Sequence, residues 1–299
     1  MAARPNQHPE SDTMSEYQEI LYAVADRVAT ITFNRPEVHN AMSPTLRHET
    51  QHALKTAEAD DSVSLVVIQG AGKSFCSGYD VGAKNYDGKA HAISDLYDDW
   101  TDQINRGILR DQLTIWDLLK PVVAKVHGNC LAGGTEVMSI CDVAFATDTA
   151  RIGYPATRAQ ATPDLSFFPW KLPMSRAKYL QMTGNIITGK QASEWGWVTK
   201  SFPEEEFEDA FAREIRAMAS IAPDMLTANK MALNQSYDIM GFRTALHAVV
   251  PWHHASHKTR PNALQFREIA NRDGLKAAVT WRDAPFKEVD AGRPAKRDD

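Results

Sequence analysis

Two glycine-rich segments of the chain contain the residue types that could act on a carbonyl compound. One runs from Ser74 to Asp80 and the other from Gly128 to Glu136, and each follows a predicted strand. Glycine lets the backbone turn sharply and lets a ligand approach its N–H groups closely. In a parallel sheet such strand exits lie together at the carboxyl edge, where ligands bind. The two segments could therefore supply two N–H donors to one carbonyl oxygen.

Glu136 could add acid–base chemistry at the same place. It lies three residues after Gly133, about one helical turn along, so its carboxylate can face the same site. Negative charge builds up on a carbonyl oxygen when the α-carbon loses a proton or the β-carbon takes a nucleophile. Removing one N–H donor to such an oxygen costs about 10²–10³ in rate. A carboxylate at a helix start also simply stabilises the helix, and the sequence favours the two interpretations equally.

Apolar periodicity predicts the elements that would position these groups. Strands alternate with helices at regular spacing, which favours a parallel α/β core. Ser43-Pro44 is typical of a helix start, with a capping serine and proline at the first position. The predicted elements of the core are a hairpin over 20–33, strands at 64–69, 121–127, 142–147 and 150–153, helices at 43–59 and 135–140, and a polar helical region from Leu96 to Leu119.

The chain is expected to divide into four parts. These are a disordered tail over 1–15, an α/β core over 16–203, a helical region over 204–289 and a flexible tail over 290–299. The first part is polar, and Met14 could serve as the native start. In the C-terminal half a period of 3.6 residues predicts helices at 190–195, 204–221, 224–237, 242–258 and 262–270.

Composition excludes several classes of protein. With 38 acidic against 33 basic residues the net charge is −5, whereas a nucleic-acid-binding protein usually shows a strongly basic face. Three cysteines are too few and too unpatterned for a disulfide framework or a zinc site, which favours a reducing cytoplasm. No stretch reaches the roughly 18 apolar residues of a membrane span. The start also lacks the apolar segment of a secretory signal.

Several motifs resemble those of the crotonase-like proteins, the enoyl-CoA hydratase/isomerase family. They occur in the family's order, cover about Tyr17 to Phe202, and are highly specific together although each is weak alone. The matching stretches are Ile31–Pro36 with Asn40-Ala41, Phe75–Asp80, Lys120–Ala124 through Gly133–Glu136 to Cys141-Asp142, and Thr183-Gly184 with Ile187-Thr188, Ala192, Trp195-Gly196 and Val198.

The resemblance implies a fold, a substrate class and a set of site residues. The fold would be a crotonase-like ββα-spiral core with a helical C-terminal region that trimerises, as a homotrimer or a hexamer. The substrate would be a CoA thioester, with no metal and no further cofactor. The N–H groups of Tyr79 and Gly133 would form an oxyanion hole, and Glu136 would be catalytic. Substrate-binding residues would be Val38, Ala41, Ser77, Gly78, Asp80, Val81, Gly134, Arg282 and Lys287. Arg282 and Lys287 could equally be solvated surface charges.

The sequence departs from the family at the second catalytic glutamate, because Ala156 stands there. Hydration requires one group to activate water and another to deliver a proton, and alanine can do neither. Asp164 could substitute, as an aspartate does in dienoyl-CoA isomerases and a dehalogenase of the superfamily. It could also cap a helix that begins at Leu165. Enoyl-CoA hydratase is the expected activity. Because Ala156 weakens the mechanism with two glutamates, the alternatives are an isomerase, hydrolase or C–C bond-cleaving enzyme acting on a CoA thioester. A second alternative is a non-catalytic acyl-CoA-binding paralogue.

Other patterns have a structural explanation that competes with a functional one. His253, His254 and His257 cluster, but without the glutamate of an H-E-x-x-H motif we expect a structural or solvated role. Cys76 lies near the expected oxyanion hole and lacks an identifiable base that could activate it. The aromatic residues that follow Asp164 could line an acyl pocket, pack in the core or contact another subunit; they are Phe167, Phe168 and Trp170.

Overall fold

A six-stranded sheet forms the base of the computed structural model, which describes residues 17–80 and 107–290. Its strands in spatial order are β1 (Ile20–Ala25), β2 (Val28–Phe33), β3 (Leu65–Gly70), β4 (Val122–Val126), β6 (Val143–Thr147) and β9 (Lys200–Phe202). β1 and β2 pair antiparallel, and every other neighbouring pair is parallel. Asp26 and Arg27 link the hairpin with φ of 50° and 67°, as the tightest hairpin turns require. The predicted hairpin and parallel strands are confirmed.

A smaller three-stranded sheet follows the exits of β4 and β6. It consists of β5 (Asn129–Leu131), β7 (Arg151–Gly153) and β8 (Ile186–Thr188), in which β5 and β7 are parallel and β7 and β8 antiparallel. The sequence predicts β7 but predicts no strand over Asn129–Leu131, which it places in the glycine-rich segment after β4. The segment becomes a strand through pairing with distant β7.

Helices surround the two sheets. The first six among the described residues are α1 (Pro44–Ala59), α2 (Ile108–Asp117), α3 (Gly133–Ile140), α4 (Phe168–Lys171), α5 (Met174–Thr183) and α6 (Gly189–Trp195). The Ser43 hydroxyl accepts a hydrogen bond from the Leu46 amide at 3.0 Å, which confirms the predicted cap of α1. Every residue of α3 is buried. The helix that carries Glu136 is therefore enclosed by protein and not laid on a surface.

After β9 the chain is helical. These helices are α7 (Glu204–Ala219), α8 (Pro223–Ile239), α9 (Phe242–Thr259), α10 (Pro261–Asp273), α11 (Leu275–Asp283) and α12 (Lys287–Asp290). The expected tails lie outside the described residues, except for residue 290 at the end of α12. In residues 17–80 and 107–290, no helix combines the length and the apolar character that crossing a membrane demands.

Most buried apolar side chains form one core, and a second cluster lies between the sheet and α7. The aromatic run near Asp164 belongs to the main core. Phe168 packs on Trp197 with ring centroids 5.0 Å apart, and Phe167 and Trp170 pack on Phe242 at 6.2 and 5.3 Å. These contacts support the packing explanation for the run and tie α4 to α9.

Candidate active site

Backbone pairing fixes the direction of the Tyr79 amide. The Met42 amide donates to the Gly78 carbonyl at 2.8 Å, and the Asp80 amide donates to the Met42 carbonyl at 3.1 Å. Tyr79 lies between these two bonded groups, so its own N–H points to the opposite side of the segment. The Arg35 guanidinium bonds the Asp80 carboxylate at 2.8 Å and the Ala41 carbonyl at 2.6 Å. These contacts make residues 35–42 a rigid support for residues 77–80.

A strained turn places the second amide. Ala132 adopts φ 48° and ψ −123°, a conformation that costs a residue with a side chain about 1–3 kcal/mol. Two hydrogen bonds hold the turn, from Leu131 N to the Cys76 carbonyl and from Ala132 N to the Gly153 carbonyl, both at 2.9 Å. Gly133 begins α3, so its N–H has no acceptor within the helix. Among the described residues, neither this amide nor that of Tyr79 donates to a backbone carbonyl.

Glycines let the two segments touch. A Cβ atom on Gly78 would lie 2.9 Å from the Ala132 Cβ and 3.4 Å from the Gly133 nitrogen. A Cβ atom on Gly134 would lie 2.5 Å from the Cys76 carbonyl oxygen. One on Gly133 would lie 2.5 Å from the Tyr79 ring. The glycine pattern of the sequence thus reflects close contact between the strand exits.

Glu136 is held by Tyr79 and by the backbone. The Tyr79 hydroxyl donates to Glu136 Oε2 at 2.7 Å, and the Leu165 amide donates to Oε1 at 3.3 Å. The side chain is buried, with only 2% of the residue exposed. Burial, followed by the nearby charge of Asp164, raises the pKa of Glu136 well above its ordinary value. The phenol contact was not anticipated from the sequence, which predicts a role for the Tyr79 amide only.

Asp164 lies beside Glu136 and does not cap a helix. The next helix, α4, begins only at Phe168, so the capping alternative is wrong. Asp164 Oδ1 lies 3.1 Å from His253 Nε2, and the Tyr154 hydroxyl donates to Oδ2 at 3.3 Å. Burial raises the pKa of Asp164, whereas the charge of His253 and the bond from Tyr154 act in the opposite direction. The site therefore contains two buried carboxyls with different partners.

The comparison with known protein families decides what kind of site this is. Residues 24–273 match the family model described as enoyl-CoA hydratase/isomerase. The chain belongs to the enoyl-CoA hydratase/isomerase family. The structural match agrees with this assignment. An enoyl-CoA hydratase from Mycobacterium smegmatis superposes with a TM-score of 0.83 at 31% identity, over 94% of this chain and 98% of that one. The predicted crotonase-like core with a helical C-terminal region is confirmed.

Two further similar proteins carry names with different reactions. The peroxisomal enoyl-CoA delta isomerase 3 of Mus musculus is 30% identical over 219 residues, covering 72% of this chain and 67% of its own. The hydroxycinnamoyl-CoA hydratase-lyase of Pseudomonas fluorescens is 30% identical over 232 residues, covering 72% and 77%. Membership in the family therefore leaves the reaction to be inferred from the site.

The predicted substrate-binding residues fall into two groups. The first group lies in the paired loops and the start of α3, beside the two amides; it consists of Val38, Ala41, Ser77, Gly78, Asp80 and Gly134. Val81 lies outside the described residues. Arg282 bonds Asp283 at 2.9 Å and Gln160 at 3.0 Å, and Lys287 is exposed at the start of α12. No described contact joins these two cations to the first group.

A pocket beside Tyr79 is lined by both apolar and polar side chains. The apolar ones are Phe33, Met42, Leu46, Ile115 and Val137, and the polar ones are Arg47, Thr50, Gln51, Asp111 and Gln112. Ala156 lies in a 3₁₀ turn over Pro155–Arg158, packed against the core. Ala156 contributes no carboxyl to the site. Two residues earlier, Tyr154 contributes its hydroxyl to Asp164 instead.

Other candidate chemistries find little support in the described residues. Burial raises the pKa of Cys76 to about 12, so the thiolate that a nucleophile requires is disfavoured. Within residues 17–80 and 107–290, no three histidine, cysteine, aspartate or glutamate side chains converge as metal ligands. The expectation that His253 is only structural or solvated does not account for its contact with Asp164, which sequence spacing gave no means of finding.

Proposed function

We propose that this member of the family is an enoyl-CoA hydratase, which adds water across the double bond of a 2-enoyl-CoA thioester. The proposal depends chiefly on one observation, the pair of buried carboxyls Glu136 and Asp164 beside the contact between the two strand exits. Hydration requires two proton-transferring groups. Asp164 would provide the one that Ala156 cannot.

The N–H groups of Tyr79 and Gly133 would hold the thioester carbonyl oxygen. Attack at C3 moves electrons through the double bond to that oxygen, so the oxygen becomes an enolate. Donors that are fixed before the reaction stabilise this charge without reorganising. The backbone hydrogen bonds of Met42 with Gly78 and Asp80, and those that hold the strained turn at Ala132, support such preorganisation. Both amides belong to backbone that several hydrogen bonds hold in place.

The environments of the two carboxyls suggest which is acid and which is base. Glu136 is shifted toward its protonated form by burial and by Asp164, so it would donate a proton to C2. Burial also raises the pKa of Asp164, but His253 and Tyr154 favour its ionised form and oppose that shift. Asp164 would therefore take a proton from water as the hydroxyl adds to C3. Carboxyls whose environments separate their proton affinities commonly divide these roles.

Double-bond isomerisation is the second candidate. Both oxygens of Glu136 already accept hydrogen bonds from protein groups. That arrangement suits a carboxyl that carries a proton between two carbons as well as one that assists water. Hydrolysis or C–C bond cleavage would use the same enolate, and a non-catalytic binding protein would keep the amides while Glu136 serves only as structure.

The test is turnover of enoyl thioesters by purified protein, with 2-enoyl-CoA and 3-enoyl-CoA of short and medium chain length. A hydratase converts the 2-enoyl substrate to a product heavier by one water, whereas an isomerase converts the 3-enoyl substrate with no change in mass. Glu136→Gln should abolish most of the activity, and the exposed Glu194→Gln on α6 is the matched control. Tight CoA binding with no turnover of any thioester would leave only the binding protein.

The remaining expectations belong to the same proposal. The acid–base mechanism uses no cofactor, since CoA is part of the substrate. Support for a homotrimer or hexamer comes from large apolar side chains left exposed on α5, α8 and α9, namely Met182, Ile239 and Trp252. A cytoplasmic location is favoured by three cysteines that are all buried and unpaired.

A further inference from the structure

The imidazole of His253 is fixed at both nitrogens. Nδ1 lies 2.7 Å from the Thr162 carbonyl oxygen, and Nε2 lies 3.1 Å from Asp164 Oδ1. His253 belongs to α9, whereas its two partners belong to the segment before α4. The residue is 6% exposed. A C-terminal helix thus reaches the carboxyl that we assign as the base.

The Thr162 carbonyl and the Asp164 carboxylate determine how many protons His253 and Asp164 hold together. A carbonyl oxygen can only accept a hydrogen bond, so Nδ1 must carry a proton. In a neutral imidazole Nε2 would then be an acceptor, facing a carboxylate that is also only an acceptor. The short contact therefore requires one further proton between Nε2 and Oδ1, whichever atom it sits closer to.

We propose that His253 is a positioning residue for the reaction, which sets the orientation and the proton content of Asp164 through this shared proton. The inference rests on the proposed function, because it assigns Asp164 a proton-transferring role. His253 itself need not touch the substrate. When Asp164 takes a proton from water, the Nδ1–H group of His253 keeps its hydrogen bond to the Thr162 carbonyl oxygen. The pair then carries one extra proton until Glu136, which has given its proton to C2, is protonated again.

The surroundings keep the ring in place. His257 stacks on His253 with ring centroids 5.9 Å apart and planes 7° apart, and Arg267 lies 2.8 Å from His257 Nε2. Because arginine can only donate, that nitrogen of His257 is an acceptor. Among the described residues, Glu136, Tyr154, Arg47 and Tyr79 also act on Asp164 from other elements. A substitution at His253 removes one further influence on the same carboxyl.

A double-mutant comparison tests whether His253 acts through Asp164. We expect His253→Gln to lower kcat by up to about 10²-fold, as a misplaced catalytic group does. It should also move the acidic limb of the kcat profile to higher pH. In an Asp164→Asn background the same change should cost little more, because the group it positions is gone. His247→Gln, an exposed change on the same helix, is the control. Equal fold losses in both backgrounds would overturn the proposal.

Nitrogen-15 spectra of the histidine rings provide a readout that does not depend on activity. Wild-type protein should show a protonated Nδ1 on His253, together with an Nε2 signal that Asp164→Asn shifts. An unprotonated Nδ1 would overturn the assignment. If the wild type turns over no enoyl-CoA, the proposed function fails. The ring spectrum then decides alone whether the pair exists.

Discussion

Replacing Glu136 with glutamine should make the protein less active yet more resistant to alkaline destabilisation. The carboxyl is buried in α3, with 2% of the residue exposed, and its pKa is raised well above the ordinary value. In the unfolded chain glutamate releases its proton near pH 4.3. Above that pH the folded state holds a proton that the unfolded state has lost. Wild-type stability must therefore fall as pH rises.

The slope of this effect is fixed by thermodynamics. One extra bound proton in the folded state lowers the free energy of unfolding by about 1.4 kcal/mol per pH unit, until the pH passes the raised pKa of Glu136. Glutamine has no proton to lose, so the variant lacks this slope. Losing an acceptor for Tyr79 or Leu165 costs about 1–3 kcal/mol at every pH. That cost shifts the whole curve without changing its slope.

Urea unfolding between about pH 5 and about pH 8 measures the slope directly. Protein concentration must be constant, because assembly would also change the apparent stability. Glu194→Gln, on the exposed face of α6, should keep the wild-type slope. The same slope in Glu136→Gln and wild type would show that Glu136 holds no extra proton in the fold, and the assignment of Glu136 as acid would fail with it.

Three further changes test other contacts of the site. Asp164→Asn should lower kcat for enoyl-CoA hydration at least about tenfold, and an unchanged kcat would assign Asp164 a structural role. Tyr79→Phe removes a hydrogen bond that lowers the pKa of Glu136, so that pKa should rise. The alkaline limb of the kcat–pH profile should then move to higher pH. A limb that does not move would contradict the acid role of Glu136. Gly134→Ala places a Cβ atom 2.5 Å from the Cys76 carbonyl oxygen and should lower the free energy of unfolding by about 1–3 kcal/mol in urea titrations.

The main sheet and the two strand exits were predictable because their signals are local. Short apolar runs mark β2, β3, β4 and β6, and glycines mark the places where the exits touch. The spacing of Gly133 and Glu136 on one helix places the carboxyl without any tertiary knowledge. Strand β5 was missed because three residues acquire their structure only by pairing with β7.

The second half of the site was not predictable from spacing. His253 meets Asp164 because α9 packs on the segment before α4, partly through Phe167 and Phe242. A helix at Leu165 was a reasonable expectation after an aspartate. In the fold, however, the Leu165 amide donates to Glu136 and the Asp164 carboxyl faces His253. The Asp164 carboxyl and the Leu165 amide, which could have started a helix, contact His253 and Glu136 instead.

The family resemblance implies that Ala156 replaces a catalytic glutamate, yet its segment still contacts the site. The turn over Pro155–Arg158 still packs against the core, and Tyr154 just before it donates to Asp164. The Asp164 carboxyl has a partner in His253, which a buried acidic pair requires if one member is to ionise. In the mechanism we propose, this carboxyl and its histidine act together. The reaction of this chain should depend on α9 as closely as on the glycine-rich segments that identify its family.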